Sequence, residues 1–323
     1  IERTMAANTS VGIARASLQQ ARAVRDVQSS GLLPRIDGSG SADRSRLGGA
    51  GTSNRFQAGL DAGWELDLFG ATRSAVDAAE ADVRAAGARL ADVHVSLAAE
   101  TALAYIDLRG LQSRLAIARQ NLALQSETLQ IARWRAQAGL VSSTDVEQAR
   151  AESERTAAQI PALEIQLNQT LHGLAVLTGQ PPGALHAELA SVRPVPQAGD
   201  ALALGIPAET LRQRADVRAA EHQVAAALSR VAQADALRYP SFRIGGSLGL
   251  SALTLGGLAS SGATTVSSLL AAVSVPLFDA GAARAQVRVQ GAAFEQARLG
   301  YRAVVLDALR EVEDSLVALR GNR

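Results

Sequence analysis

From Ala71 to Ala138 the chain carries no proline and only two glycines, Gly87 and Gly110. Val76, Val83, Leu90, Val93, Leu97, Leu108, Leu111 and Leu115 keep a helical apolar stripe through that stretch. At 1.5 Å per residue such a helix is about 100 Å long, whereas a small domain is about 30 Å across. A rod of that length cannot bury itself in one compact core. It needs partners alongside, and small side chains let them approach. Composition fits this: hydrophobic residues reach 47% but aromatics only 3%, the balance being largely Ala and Leu.

The helical pattern breaks at Gly139–Asp145 and resumes from Val146 to Leu177, with Pro161 predicting a kink or local irregularity. The apex holds Gly139 and the apolar pair Leu140 and Val141, followed by Ser142 or Ser143 with Asp145 as capping candidates for the returning helix. Thr178–Gly183, TGQPPG, stops that helix. A Pro/Gly-rich connector spans 179–206, and Pro207 opens a helix over 207–238. Counted from Ser142 to Thr178 and from Pro207 to Arg238, the return path is about 103 Å at the same rise, about as long as the outgoing helix. That match predicts a long hairpin, interrupted once on the way back.

Before the long helix the period is different. Residues 1–33 read as a helix, with Ile13, Leu18, Ala21 and Val24 on one stripe, ended by Pro34. From Phe56 the even positions are Phe56, Ala58, Leu60, Ala62, Trp64, Leu66 and Leu68, against Gln57, Gly59, Asp61, Gly63, Glu65 and Asp67. Strict alternation of that length predicts strands over about 36–69. The same order then recurs. Tyr239-Pro240 stands where Leu33-Pro34 stood, and strands are predicted over about 241–278. There Phe242, Ile244, Leu248 and Leu250 alternate with polar residues, and Leu269, Ala271, Val273, Val275 and Leu277 follow. A shift of 211 positions lays Arg73 on Arg284, Val76 on Val287, Val93 on Val304, Glu100 on Glu311 and Leu108-Arg109-Gly110 on Leu319-Arg320-Gly321. The chain is thus read as a first repeat over 1–178 (helical hairpin 71–178), the connector 179–206, and a second repeat over 207–323 (final helix 282–323), incomplete at its end.

Four strands per chain leave two open edges, and the smallest closed barrels need about eight strands. Each strand exceeds the roughly 9–11 residues that cross a bilayer when tilted. In lipid an unpaired edge is forbidden, so several chains must share one barrel. On that reading Phe56, Leu60, Trp64, Phe242, Leu248 and Leu250 are the candidate lipid-facing positions. The alternative from pattern alone is a set of soluble amphipathic strands covering a helical core.

Several chemistries are excluded or unsupported. No cysteine means no disulfide, thiolate catalysis or thiolate metal site. His94, His172, His186 and His222 are all more than a helical turn apart in sequence, so no metal site is expected. GSGS at Gly38 lacks the third glycine of a dinucleotide fingerprint and opens a strand. Neither a P-loop nor a nucleophile elbow is present, and Asp61, Glu65 and Asp67 belong to the polar side of a strand. Neither catalysis nor a cofactor is expected. A net charge of +1 gives no case for nucleic acid.

Several motifs in order resemble one family across essentially the whole chain. They are WELDLFG (64–70), ETALAYIDLRGLQSRLAIARQNLALQ (100–125), AGLVSSTDV at the apex, LTGQPPGAL (177–185), GIPAETLRQRADVRAAE (205–221), PLFDAG (276–281) and LREVEDSLVALR (309–320). The chain is similar to TolC-type outer-membrane efflux proteins, in particular the lipoprotein branch serving resistance-nodulation-division pumps. Ala215 stands where that family commonly has Pro.

The resemblance implies a mainly α protein with a small β part. Long helical hairpins would form a periplasmic α-barrel, and four strands per chain would join a shared 12-stranded barrel of a homotrimer in the outer-membrane lipid. It implies an exit duct that passively conducts drugs or other small toxic compounds. These would arrive from an inner-membrane pump of the resistance-nodulation-division type through a periplasmic adaptor, a membrane fusion protein. Gly139, Leu140, Val141, Ser142 and Asp145 would then form the adaptor-docking tip. An ordinary capped turn is the plainer reading of those five residues. The family's lipid-bearing N-terminal cysteine would precede Ile1, and its gate-forming second hairpin would follow Arg323, so truncation at both ends is expected. Two alternatives remain: the exit duct of a type I protein-secretion system, and a soluble periplasmic coiled-coil adaptor or scaffold.

Overall fold

The computed structural model describes residues 1–46, 52–197 and 212–321. The expected helix start at Pro207 and the end of the connector lie outside the described residues. Helices α1 (Glu2–Ala7) and α2 (Thr9–Ser30) lead into strands β1 (Arg35–Arg46) and β2 (Thr52–Leu66). The long helix α3 (Ala71–Gln137) turns into α4 (Ser143–Leu177), and a single helical turn, α5 (His186–Leu189), lies in the connector. Helix α6 (Ala215–Ala236), strands β3 (Ser241–Ala252) and β4 (Thr264–Ser274) and helix α7 (Ala282–Gly321) repeat the opening order. The protein is mainly helical with four strands, as the sequence predicts.

Residues 1–33 are not one helix. Asn8 interrupts them: its Oδ1 accepts the amide of Ser10 at 2.7 Å and so caps α2, while its Nδ2 donates to the Leu177 carbonyl at 2.9 Å. A short polar side chain that bonds the backbone two residues on favours a cap over a continued helix. By contrast α4 runs unbroken through Pro161.

The chain divides into two compact units. Unit one holds Ile1–Arg15 and Leu90–Gly205; unit two holds Ala16–Arg89 and Ile206–Arg323. The core of unit one is Leu108, Leu171, Leu174, Ala175 and Leu185, which brings α3, α4 and the connector together. Gly179, at φ 69°, ends α4 where an added Cβ would meet the Ala7 carbonyl oxygen at 2.5 Å, so only glycine fits.

Unit two contains the whole sheet, in the order β1-β2-β3-β4 with every neighbour antiparallel. The strand ends that lead to α2, α3, α6 and α7 all lie at one end of the sheet. Among the described residues the two edges, β1 and β4, have no further strand partner. The alternating pattern runs on to Leu277, but β4 ends at Ser274, because β3 begins at Ser241 and offers nothing opposite the residues beyond.

Candidate functional site

Register decides which side chains share a face. Leu60 lies opposite Leu248, Ala58 opposite Leu250, Trp64 opposite Ile244 and Leu66 opposite Phe242. On the flanking strands Ile36 meets Ala62, Ala42 meets Phe56, Ala271 meets Ile244 and Val273 meets Phe242. Successive residues of a strand point to opposite faces. All six positions singled out from the pattern, Phe56, Leu60, Trp64, Phe242, Leu248 and Leu250, therefore fall on one apolar face. The opposite face is polar and bonded across strands. Ser39 Oγ donates to Asp61 at 2.7 Å, the Ser247 and Ser268 hydroxyls lie 2.7 Å apart, and Arg243 pairs with Glu65 at 3.5 Å.

The apolar face has a definite height. Phe56 and Ala42 mark one limit, beyond which the same face carries Arg44, Arg46, Asn54 and Thr52. At the helix end it closes in aromatic rings. Phe69 stacks on Tyr239 at 4.9 Å and tilts against Phe242 at 6.5 Å, while the Trp64 indole N–H donates to the Leu32 carbonyl at 3.0 Å. From Phe56 to Leu66 a strand tilted about 40° rises about 26 Å, close to the roughly 25 Å apolar band of an outer-membrane barrel. Rings at its margin suit a membrane interface. The partnership of Phe69 with Tyr239 was not legible in the sequence, since nothing local to either residue points to the other.

Just past the strand, Asp67 accepts the backbone amides of Thr72 at 3.2 Å and Arg73 at 2.9 Å, and the Arg73 guanidinium at 3.1 Å. Burial alone would raise its pKa, but the two amides and the guanidinium outweigh that and hold it below the usual carboxylate value. Asp279 caps α7 through the amides of Gly281 and Ala283, which likewise lower its pKa.

In unit one the α3–α4 turn is fixed entirely by local chemistry. The Leu140 amide donates to Arg135 at 2.9 Å and the Gly139 amide to Ala136 at 3.0 Å, a Schellman closure that needs Gly139 at φ 74°. Ser142, not Ser143, is the N-cap: its Oγ accepts the Asp145 amide at 3.3 Å, and Asp145 accepts the Ser142 amide at 2.9 Å. The Ser142 hydroxyl and amide lower the Asp145 pKa, so the cap is ionised at neutral pH. Between these caps Leu140 is 72% exposed. Backbone bonds of Gly139, Leu140, Ser142 and Asp145 hold the turn, and the Leu140 side chain stands exposed between the two caps.

A further residue of unit one escapes pattern reading. Arg109 is only 1% exposed, with its guanidinium 4.8 Å from the Tyr105 ring. It donates to the Ser191 carbonyl at 2.6 Å and to Gln112 at 2.7 Å, and Gln112 in turn donates to the Leu189 carbonyl at 2.8 Å. Arg109 therefore pins the connector to α3. Its recurrence as Arg320 within Leu-Arg-Gly was the signal available in the sequence. His172 and His186, distant in sequence, meet edge to edge with ring centres 5.8 Å apart. Among the described residues no group of three or more His, Asp or Glu could hold a metal. No described helix is long and apolar enough to cross a membrane.

Comparison with known proteins follows this geometry. The family model described as "Outer membrane efflux protein" matches residues 1–180 and 206–323. "Nodulation protein T" of Rhizobium leguminosarum bv. viciae is 31% identical over 314 residues, covering 97% of this chain and 65% of that protein. "Toluene efflux pump outer membrane protein TtgF" of Pseudomonas putida is 31% identical over 304 residues, covering 92% of this chain and 62% of its own length. The chain thus spans less than two thirds of these relatives. Among solved structures, the outer-membrane channel OprN superposes with a TM-score of 0.91 at 36% identity, covering 98% of this chain and 72% of that one. The open-state MtrE outer membrane channel of Neisseria gonorrhoeae gives 0.83 at 28% identity, covering 98% and 71%.

Proposed function

Because this chain belongs to the outer membrane efflux protein family, we propose that it is part of the passive exit duct of a tripartite efflux system, conducting small toxic compounds across the outer membrane. The observation that carries this is the sheet. It has one apolar face of membrane height, one hydrogen-bonded polar face and two open edges. Lipid tolerates the first face, water the second, and neither the edges alone. Three copies would supply 12 strands and close the barrel, with Phe56, Leu60, Trp64, Phe242, Leu248 and Leu250 outward and Asp61, Glu65, Arg243 and Ser247 lining the lumen. The long helices would continue it as a periplasmic tunnel. The duplicated order is the reason one chain can supply two hairpins of the same ring. Relatives named as toluene and solvent efflux pump components support small apolar compounds as the cargo class.

Gly139, Leu140, Val141, Ser142 and Asp145 form the tip on which a periplasmic adaptor docks in this reading, linking the duct to an inner-membrane pump of the resistance-nodulation-division type. Its support is the exposed Leu140 between two self-satisfied helix caps. In the full-length protein, Leu140→Asp is expected to abolish resistance to efflux substrates while leaving outer-membrane trimers at their normal level. Normal resistance would remove the docking role. Recovery of the unmodified protein as a soluble periplasmic monomer would overturn the duct itself.

A further inference from the structure

The charges of the sheet are sorted by face. Every acid of the four strands, Asp37, Asp43, Asp61 and Glu65, takes the polar face, because each stands at an odd position of β1 or β2. Each arginine on that face has an acid to meet. Arg35 pairs with Asp37 at 2.8 Å, Arg243 pairs with Glu65 at 3.5 Å, and Arg55 stands opposite Asp43 in register. Arg44 and Arg46 differ. They lie on the apolar face, opposite Asn54 and Thr52, and both are exposed. Among the described residues neither has an ion-pair partner. Residues 47–51, Leu-Gly-Gly-Ala-Gly, bring no acid, and Ile244 to Phe278 contains no charged residue, in this copy or in any other.

Their height on the sheet is equally specific. Ala42 and Phe56 end the apolar band on the side away from the helices. On a strand tilted about 40°, Arg44 stands about 5 Å beyond that limit and Arg46 about 10 Å. The headgroup zone of a bilayer is about 5–7 Å deep on each side. Arg44 therefore falls within that zone, and Arg46 at its outer margin, from which its long side chain can reach back. At the helix end of the band the margin is built from rings instead, Phe69, Tyr239 and Trp64. The arginines near those rings, Arg73 and Arg238, are paired with Asp67 and Asp235. One margin of the band is thus aromatic with its charges paired, while the other carries two unpaired cations per chain.

Resting on the duct reading, in which the helices lie in the periplasm and this margin is the outer one, we propose that Arg44 and Arg46 form a binding site for the phosphate groups of an anionic lipid in the outer leaflet. A guanidinium presents its N–H donors as a flat fork that matches two oxygens of one phosphate. Two such forks stand two residues apart on one strand face, with Cα atoms about 7 Å apart, which suits a headgroup carrying more than one phosphate. Directly beneath them the same face offers Ala42, Gly40 and Phe56, along which the acyl chains of that lipid can lie. A phosphate grip above and hydrocarbon below distinguishes a lipid from a soluble anion. The polar face at the same height, where Arg55 meets Asp43, has no such excess of charge.

Binding of a lipid of known charge tests the site. The full-length protein in nonionic detergent is titrated with bisphosphorylated lipid A and, separately, with the same glycolipid stripped of its phosphates. An arginine near an anionic surface is worth about fivefold in affinity, so the pair is worth about 25-fold. Arg44→Gln with Arg46→Gln is expected to weaken binding of the phosphorylated lipid by about that factor and to flatten its salt dependence, with trimers intact. Arg55→Gln, at the same height on the polar face, is expected to bind as the unmodified protein does. Where the double variant forms no trimers, Arg44→Gln alone is expected to show about a fivefold loss, and no loss would overturn the site. Equal affinity for the lipid with and without phosphates, or an equal loss in Arg55→Gln, would also overturn it. Displacement of the lipid by inorganic phosphate at the same phosphate concentration would make this a free-anion site and overturn the lipid. A protein recovered as a soluble monomer would instead overturn the duct reading beneath the proposal.

Discussion

Leu60→Arg tests the orientation of the sheet directly. Leu60 sits on β2 between Gly38 and Leu248, on the apolar face, and is 56% exposed in the lone protomer. It is four residues from Phe56, the outer limit of the apolar band, and four from Trp64 near the inner one. At 3.4 Å per residue and a tilt of about 40°, each separation is about 10 Å along the membrane normal. On the proposed lipid-facing reading Leu60 would lie close to the midplane, where Arg costs about 2–4 kcal/mol, falling to about 0–1 kcal/mol near the interfaces. Each trimer would carry the substitution three times, so the summed penalty is about 6–12 kcal/mol.

The adjacent Asp61 points to the polar face, where its carboxylate accepts the Ser39 hydroxyl at 2.7 Å. Asp61→Arg loses that bond, about 1 kcal/mol, but meets no hydrocarbon. Urea unfolding of the full-length protein in lipid vesicles, with outer-membrane trimer yield as a second reading, separates the two. Leu60→Arg should lower stability by at least about 2 kcal/mol per chain and reduce trimer yield, Asp61→Arg by clearly less. Equal losses, or a larger loss for Asp61→Arg, would refute the assignment of faces.

Arg109→Ala should loosen the connector rather than the hairpin. It leaves the Ser191 carbonyl and Gln112 without their buried donor, a loss of about 1–3 kcal/mol for each. Hydrogen exchange should rise in residues 186–197 and stay unchanged around the α3–α4 tip, and unchanged protection of 186–197 would contradict the anchoring role. Asp67→Asn should destabilise the strand-to-α3 junction by about 1–2 kcal/mol at neutral pH through the weakened cap. Because the folded pKa of Asp67 is depressed, its contribution is complete above the ordinary carboxylate range and fades as pH falls through the lowered value. The gap in unfolding midpoint between wild type and Asp67→Asn should therefore close at acid pH, and a gap equal at pH 7 and pH 3 would exclude the ionised cap as its cause.

What the sequence disclosed and what it withheld follow from the range of each interaction. Helix and strand periods are set by neighbours a few residues apart, so α3, α4 and the alternating strands were legible, as was the fold class. The apex was legible for the same reason, since the Schellman closure and the capping box span only Arg135 to Asp145. Asn8 carried the cap signal too, but an Ala-rich stripe continuing on both sides concealed it. Contacts across long separations were not legible. Arg109 donates to the Ser191 carbonyl, 82 positions away, and Phe69 stacks on a ring from the other copy of the repeat. In neither case does the residue type announce its partner.

Val275 to Leu277 are the instructive exception. Alternation records which face a side chain takes and is silent about what it pairs with, so the pattern overran the end of β4 at Ser274. Pro276 has no amide hydrogen to give a ladder and suits an edge or a strand end. Taken within one chain, those residues are a pattern without a sheet. In the shared-barrel reading a neighbouring copy would lie beyond the β4 edge and supply what this chain alone does not. The face-forming signal therefore continues where intrachain pairing stops, which is what a sequence selected to close a ring with its own copies would keep.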